Sequence, residues 1–252
     1  NIFRELPRLN FWRALTDNEF GEWMQYSARL WETAGHNTIF SYKGSEETAE
    51  GFNVNYEVKL RGIEATVDIS YTVNKDGSLT TSARYKALSD DLPEMLRFGM
   101  LMTLPRNYNN FTWYGRGPRE NYVDRKHDTF MGIWSGKVED QAHPYYRPQE
   151  TGNKTDVRWL TLENESGGGI KIEGAQPLSV SATNNRPEDL DPGMTKKQQH
   201  WSDVLPRHEV VLCVDLFQRG VGGLQSWGAK PLDEYRFMDK EYYYSYTISV
   251  NN

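Results

Sequence analysis

Residues 52–87, FNVNYEVKLRGIEATVDISYTVNKDGSLTTSARYKA, carry the pattern that decides the fold. Phe52, Val54, Tyr56, Val58 and Leu60 alternate with mostly polar residues, and Ala65, Val67, Ile69, Tyr71 and Val73 do the same. A period of two puts one set of side chains on one face, so both runs read as half-buried strands. The turn Asn74-Lys75-Asp76-Gly77 then leads into a third strand over 79–87, which makes an antiparallel meander. Working outward, Leu96, Phe98, Met100, Met102 and Leu104 form another alternating run, stopped by Pro105. Later strands are predicted over 157–162, 170–173, 178–183, 209–217 and 242–250. Only residues 22–34 suggest a helix, with Trp23, Ser27, Leu30 and Trp31 near one face. Residues 184–201 are polar with two prolines and read as a long excursion with room for a short helix. No repeat, low-complexity tract or linker divides the chain. The expected architecture is one domain over residues 1–252, an all-β antiparallel sandwich of many strands with little helix.

Composition narrows the function. The 252 residues suffice to bury a large core. A net charge of −6 without a basic block argues against nucleic acid as a partner. No apolar run approaches membrane-spanning length, so no membrane partner is expected. The lone Cys213 cannot form an internal disulfide, and its apolar strand context reads as a buried, inert thiol. The opening NIFRELPRLN carries no signal peptide and reads as cut from a longer polypeptide, so it does not report a compartment. Eight Trp and fifteen Tyr suit both strand packing and carbohydrate-facing surfaces.

The chemistry-bearing types are scattered. His36, His127, His143, His200 and His208 show no metal-ligand spacing. Asp17, Asn18 and Glu19 could ligate a hard cation, or form a turn or helix cap. No nucleophile elbow occurs, and Gly167-Gly168-Gly169 runs into Ile170, as in a hairpin turn rather than a phosphate loop. Glycoside hydrolysis needs two carboxyls flanking the bond. Glu120, Asp124 and Glu150 lie in loop-like motifs, but salt bridges with Arg119, Arg125 and Arg147 explain them better than catalysis. Residues 113–126, WYGRGPRENYVDRK, read as a shaped loop, because Gly115 and Gly117 permit unusual backbone angles and Pro118 fixes one. In RGVGGLQSWGAKPLDEY, residues 219–235, Trp227 follows Gly220, Gly222 and Gly223. A lone loop indole serves equally as a packing plug or as a platform for the apolar face of a pyranose.

Five segments together resemble the C-terminal small-chain domain of the β-galactosidases of glycoside hydrolase family 2. These are LNFWRALTDNEFG (9–21), ARLWETAG (28–35), WYGRGPRENYVDR (113–125), YYRPQETGNKTDVRWL (145–160) and GVGGLQSW (220–227). Leu15 stands where that family usually has proline. The resemblance implies a β-supersandwich of the galactose mutarotase type, packed on a barrel that carries both catalytic glutamates. A barrel needs roughly 200 residues or more of alternating βα units, so neither it nor those glutamates are expected in this chain. It also implies no catalytic residue here and substrate-binding roles for Trp227, Ser226, Gly21, Asp17 and Asn18. Trp227 and Ser226 close the G-x-G-G-x-x-S-W motif, and Trp227 stacks on the group beyond galactose. Gly21, just after Asp17 and Asn18, starts a mobile loop. The 113–125 motif is architectural, tied down by Glu120 and Arg125. The implied partners are the rest of the parent enzyme and a galactoside substrate, in a homo-oligomeric parent. The chain itself is expected to hold no cofactor or metal, with Mg²⁺ and Na⁺ assigned to the parent. A free-standing mutarotase-like epimerase or a carbohydrate-binding module is the alternative, and His143 with Glu150 is its only candidate acid–base pair.

Overall fold

Alternation in the sequence becomes alternation in burial. In the strand Ala65–Asn74, Ala65, Val67 and Ile69 are buried while Thr66, Asp68 and Ser70 are half-buried. The structure is a computed structural model and describes residues 2–223, 225 and 227–251. Among these, the strands are β1 (Glu5–Asn10), β2 (Thr38–Glu47), β3 (Gly51–Leu60), β4 (Ala65–Asn74), β5 (Leu79–Ala87), β6 (Arg97–Pro105), β7 (Asn110–Gly117), β8 (Phe130–Lys137), β9 (Lys154–Glu163), β10 (Gly169–Thr183), β11 (Glu209–Gln218) and β12 (Glu241–Asn251). Three short helices, α1 (Asp17–Gly21), α2 (Met24–Ser27) and α3 (Pro187–Leu190), complete the regular structure with a few 3₁₀ turns. Every strand pairing is antiparallel.

The strands run in the order β1-β6-β11-β10-β12-β5-β4-β3-β2, with β9, β7 and β8 branching off β10. The branch explains how one sheet encloses a core. Residues 169–174 of β10 pair with β12, and residues 179–183 pair with β11. Its other edge pairs with β9 over both halves. The sheet therefore splits at β10 and curls over a large buried cluster that draws side chains from β3 to β7 and from β9 to β12, with a second small cluster of Leu101, Val211 and Cys213. Strand β6 is buried along its length, from Arg97 to Leu104, because layers cover both its faces.

The meander β3–β4–β5 and the strands β6, β9, β11 and β12 stand where alternation predicts them. Three readings change. The predicted strands at 170–173 and 178–183 are one continuous β10. The predicted helix at 22–34 is not one helix: Trp23 adopts a left-handed conformation (φ 63°, ψ 25°), and only the turn Met24–Ser27 and a 3₁₀ turn at Arg29–Trp31 follow. The third concerns 113–117, read as a loop, which belongs to β7. Its glycines serve close approach rather than unusual angles. A Cβ on Gly115 would lie 2.8 Å from Val157 Cγ2, and one on Gly117 2.6 Å from Trp134 Cδ1. The loop proper starts at Pro118. Glu120 ties it down by accepting from Arg125 at 2.5 Å, Gly152 N at 2.7 Å and Thr151 Oγ1 at 2.9 Å.

Candidate functional site

The glycine segment after β11 is held by its backbone. Arg219 N–H donates to Leu96 O at 2.9 Å, and Gly220 N–H to Tyr235 O at 2.8 Å. The next two amides, Val221 and Gly222, donate to the Asp124 carboxylate at 3.2 and 2.8 Å. Asp124 thus clamps the glycine segment to the loop after β7, and no side chain fits at Gly220, where a Cβ would lie 2.6 Å from Asp124 Oδ2. On its other side, Asn18 Nδ2 donates to Val221 O at 3.2 Å. Gly228 (φ +91°) presses on Gly21: a Cβ on Gly21 would lie 3.0 Å from Gly228 N. The segment is therefore braced by α1 and by the loop after β7.

These contacts bring Asn18, Gly21 and Trp227 to one rim. The Trp227 side chain is 89% exposed, so it does not plug the core of this chain. Its backbone N–H donates to the Gln225 carboxamide. Ser226 lies outside the described residues. Asp17 stands at the same end of α1, where it receives Lys196 at 2.8 Å and Arg147 at 3.2 Å. Burial pushes its carboxyl up, but Lys196 and Arg147 outweigh that and hold it below the usual range. Its oxygens are thus committed to protein cations. Glu19 faces inward, accepts from the backbone N–H of Thr16 at 2.9 Å and binds Arg13 in bidentate fashion at 2.7 and 3.1 Å. Asp17, Asn18 and Glu19 therefore do not converge on a cation, and among the described residues no three His, Cys, Asp or Glu side chains do.

Beneath the rim lies a buried ionic floor that sequence reasoning missed. Arg219 donates to Glu94 at 2.9 Å, Glu22 at 2.6 Å and Glu19 at 3.4 Å. Arg236 completes it on Glu94 at 2.9 Å. Three arginines meet three glutamates, so the buried charge balances. Burial raises the Glu22 carboxyl despite Arg219, and Glu19 and Glu94 add to that rise. No local spacing announces this cluster, because its members come from four separate stretches: residues 13–22, Glu94, Arg219 and Arg236.

The remaining carboxyls have structural partners or face small spaces. Glu150 is buried, accepts from Gln218 Nε2 at 3.3 Å, and is raised by burial against the pull of Arg97 and Arg13. It lines a cavity of about 140 Å³ with Asp17, Asn18 and Tyr122. His143 lines a different cavity of about 770 Å³, with Glu120, Trp113 and Lys154. His143 and Glu150 thus line different cavities, which share Arg125 and Tyr145. Of the expected salt bridges only Arg125–Glu120 forms; Arg147 binds Asp17 and Arg119 binds Asp128. Cys213 is buried on β11, which pushes its thiol up to about 11.

The family described as beta galactosidase small chain matches residues 1–248. The chain is 34% identical over 242 residues to the beta-galactosidase of Priestia megaterium, covering 96% of this chain and 23% of that protein. It is 31% identical to beta-galactosidase BgaC of Bifidobacterium adolescentis, covering 91% of this chain and 22% of that protein. The chain thus spans less than a quarter of these relatives' length. Among solved structures, galactose 1-epimerase from Lactobacillus acidophilus NCFM is similar with a TM-score of 0.46 and 5% identity, over 84% of this chain and 66% of that one.

Proposed function

The chain belongs to the beta galactosidase small chain family, and from that membership we propose that it is the C-terminal region of a glycoside hydrolase family 2 enzyme that hydrolyses terminal non-reducing β-D-galactosides. In this reading the chain packs on a catalytic barrel outside the 252 residues, in a homo-oligomeric parent. The barrel supplies both catalytic carboxyls and holds any Mg²⁺ or Na⁺ the enzyme uses. The chain alone is inactive. Its part is to complete the substrate site: Trp227, with Ser226 before it, offers a ring to the group beyond galactose. Asp17, Asn18 and Gly21, at the start of the neighbouring segment, border that site.

One observation carries this reading. Trp227 is a large aromatic side chain that is 89% exposed on a segment whose backbone is fixed by Asp124, Asn18 and Gly21. An exposed indole on a braced backbone can cover the apolar face of a pyranose. The Trp227→Ala variant of the full-length enzyme tests it. Inhibition constants for ligands carrying a group beyond galactose should weaken about tenfold to a hundredfold, with galactose itself unchanged. Unchanged constants for both would remove Trp227 from the site. Turnover of a chromogenic galactoside by the 252-residue chain alone would overturn its assignment as a non-catalytic region.

A further inference from the structure

Trp23 holds a backbone conformation that a bulky residue seldom adopts. Among the described residues only Trp23 and Asp156 combine a positive φ with a side chain. At φ 63° a glycine would sit without conflict between Cβ and backbone, yet the sequence places an indole there. The surroundings over-determine the conformation. Trp23 N–H donates to Phe20 O at 3.3 Å, and its carbonyl accepts from Tyr26 N at 3.0 Å and Ser27 N at 3.2 Å. The preceding residue, Glu22, is fixed by the buried Arg219. Strain maintained in this way is characteristic of positions where a side chain must point at something.

Trp23 points outward. Its ring is 67% exposed and stacks on Tyr26, itself 53% exposed, with centroids 5.9 Å apart and planes inclined by 30°. Neither the indole N–H nor the Tyr26 hydroxyl has a hydrogen-bond partner among the described residues. The backbone just before the pair also passes beside the backbone just after Trp227. A Cβ on Gly228 would lie 2.4 Å from Gly21 O and 3.4 Å from Glu22 N, so the two backbones touch there. Trp23 follows Glu22 and Trp227 precedes Gly228, so two exposed indoles flank one backbone contact.

We infer that Trp23 and Tyr26 form a second aromatic platform, next to Trp227, for a saccharide unit further from the galactose. The inference rests on the galactosidase reading above and narrows its substrate class to galactosides whose leaving group is itself an oligosaccharide. The chemistry fits: ring faces cover the apolar C–H faces of pyranoses, while the unpaired N–H and O–H bond to sugar hydroxyls. Trp227 serves the first unit beyond galactose, and the Trp23–Tyr26 stack serves the next.

The full-length enzyme tests this with lactose and β-galactosyl-cellobiose as substrates. Trp23→Ala should lower kcat/KM for the trisaccharide about tenfold and leave lactose within about twofold, whereas Trp227→Ala should lower both. Trp23→Gly also removes the ring but relieves the backbone, so it should lose the trisaccharide as Trp23→Ala does; Trp23→Phe should stay within about threefold of wild type. The inference is overturned if Trp23→Ala affects the two substrates equally or not at all. A Trp23→Gly variant with wild-type trisaccharide kinetics overturns it too, since the ring would then make no contact. So does altered oligomer size for Trp23→Ala by light scattering, which would make the pair a protein contact. If Trp227→Ala leaves both substrates unchanged while Trp23→Ala acts on the trisaccharide alone, the role of Trp227 fails and the Trp23 platform stands. If the full-length enzyme cleaves no β-galactoside, both fall.

Discussion

Arg219 and Lys154 are both buried cations, and the chain holds them in opposite ways. Arg219, under the rim, donates to three carboxylates that are themselves tied to two more arginines. Lys154, at the β7–β9 wall of the 770 Å³ cavity, makes one hydrogen bond, to Gly152 O at 3.3 Å, and lies 5.2 Å from the Trp113 ring. The first region is polar and mutually satisfied. In the second, Lys154 has no salt-bridge partner among the described residues, although Arg119, Glu120, Arg125 and Asp128 line the same cavity. A satisfied network fixes the segments it joins, whereas a solitary buried charge weakens its host. The rim with Trp23 and Trp227 stands over the first kind of floor, which is the kind that can hold a strained backbone in place.

The comparison breaks most visibly at Arg219. Arg219→Met should destabilise the chain by about 3–5 kcal/mol, because Glu22 loses its side-chain partner while buried. Adding Glu22→Gln should restore about half of that, since the orphaned charge is gone. Urea unfolding of both variants measures the difference. A single variant within about 0.5 kcal/mol of wild type would mean that the network is not what fixes the rim.

The glycines of the two regions give the next largest effect. Gly115 sits in β7 with Val157 Cα and Cγ2 both inside 3 Å of a modest side chain's Cβ. Gly115→Ala should therefore destabilise by about 1–3 kcal/mol through overpacking. Gly222, in the glycine segment, meets only Asp124 Oδ2 at 3.3 Å. Gly222→Ala should stay within about 0.5 kcal/mol of wild type. Thermal unfolding of the pair checks the ranking, and equal losses would show that both regions are packed alike.

What the sequence discloses follows the same division. The meander was legible because one face is buried and the other is not, so period two is written into β3, β4 and β5. Strand β2 escaped notice because its burial does not alternate: Ile39, Phe40 and Tyr42 are all exposed on an edge strand. Strand β8 is the same case, with Phe130, Met131 and Ile133 exposed. Strand β7 was hidden by glycines that read as a loop. Asn18, Gly21 and Trp227 were legible as neighbours only through a family resemblance. The groups that join them, Asp124 and Arg219, act on partners as far as 200 residues away in sequence, and no local pattern records such pairing.

The smallest effect has the opposite sign and a pH signature. Burial lowers Lys154 from an ordinary 10.5 to about 8, with Glu120 opposing the shift. A cation whose folded value is depressed is disfavoured in the native state. The unfolded chain therefore holds more protons between pH 8 and 10.5, and stability rises with pH across that window. Below it the penalty is constant, with an upper limit of about 3 kcal/mol. Lys154→Met removes the charge and keeps most of the volume beside Trp113. It should stabilise the chain by about 1–2 kcal/mol at pH 7, less than that limit because the thioether does not reproduce the bond to Gly152. The gain should shrink as pH rises from 8 to 10.5, where the wild-type amine becomes neutral in both states. Unfolding free energies of wild type and variant at pH 7 and pH 10 decide it. A variant less stable at pH 7, with a deficit that fades at pH 10, would mean that the Trp113 ring stabilises the cation more than burial disfavours it. The contrast between the two buried cations would then be one of partner type, carboxylate against ring, rather than of satisfied against solitary charge.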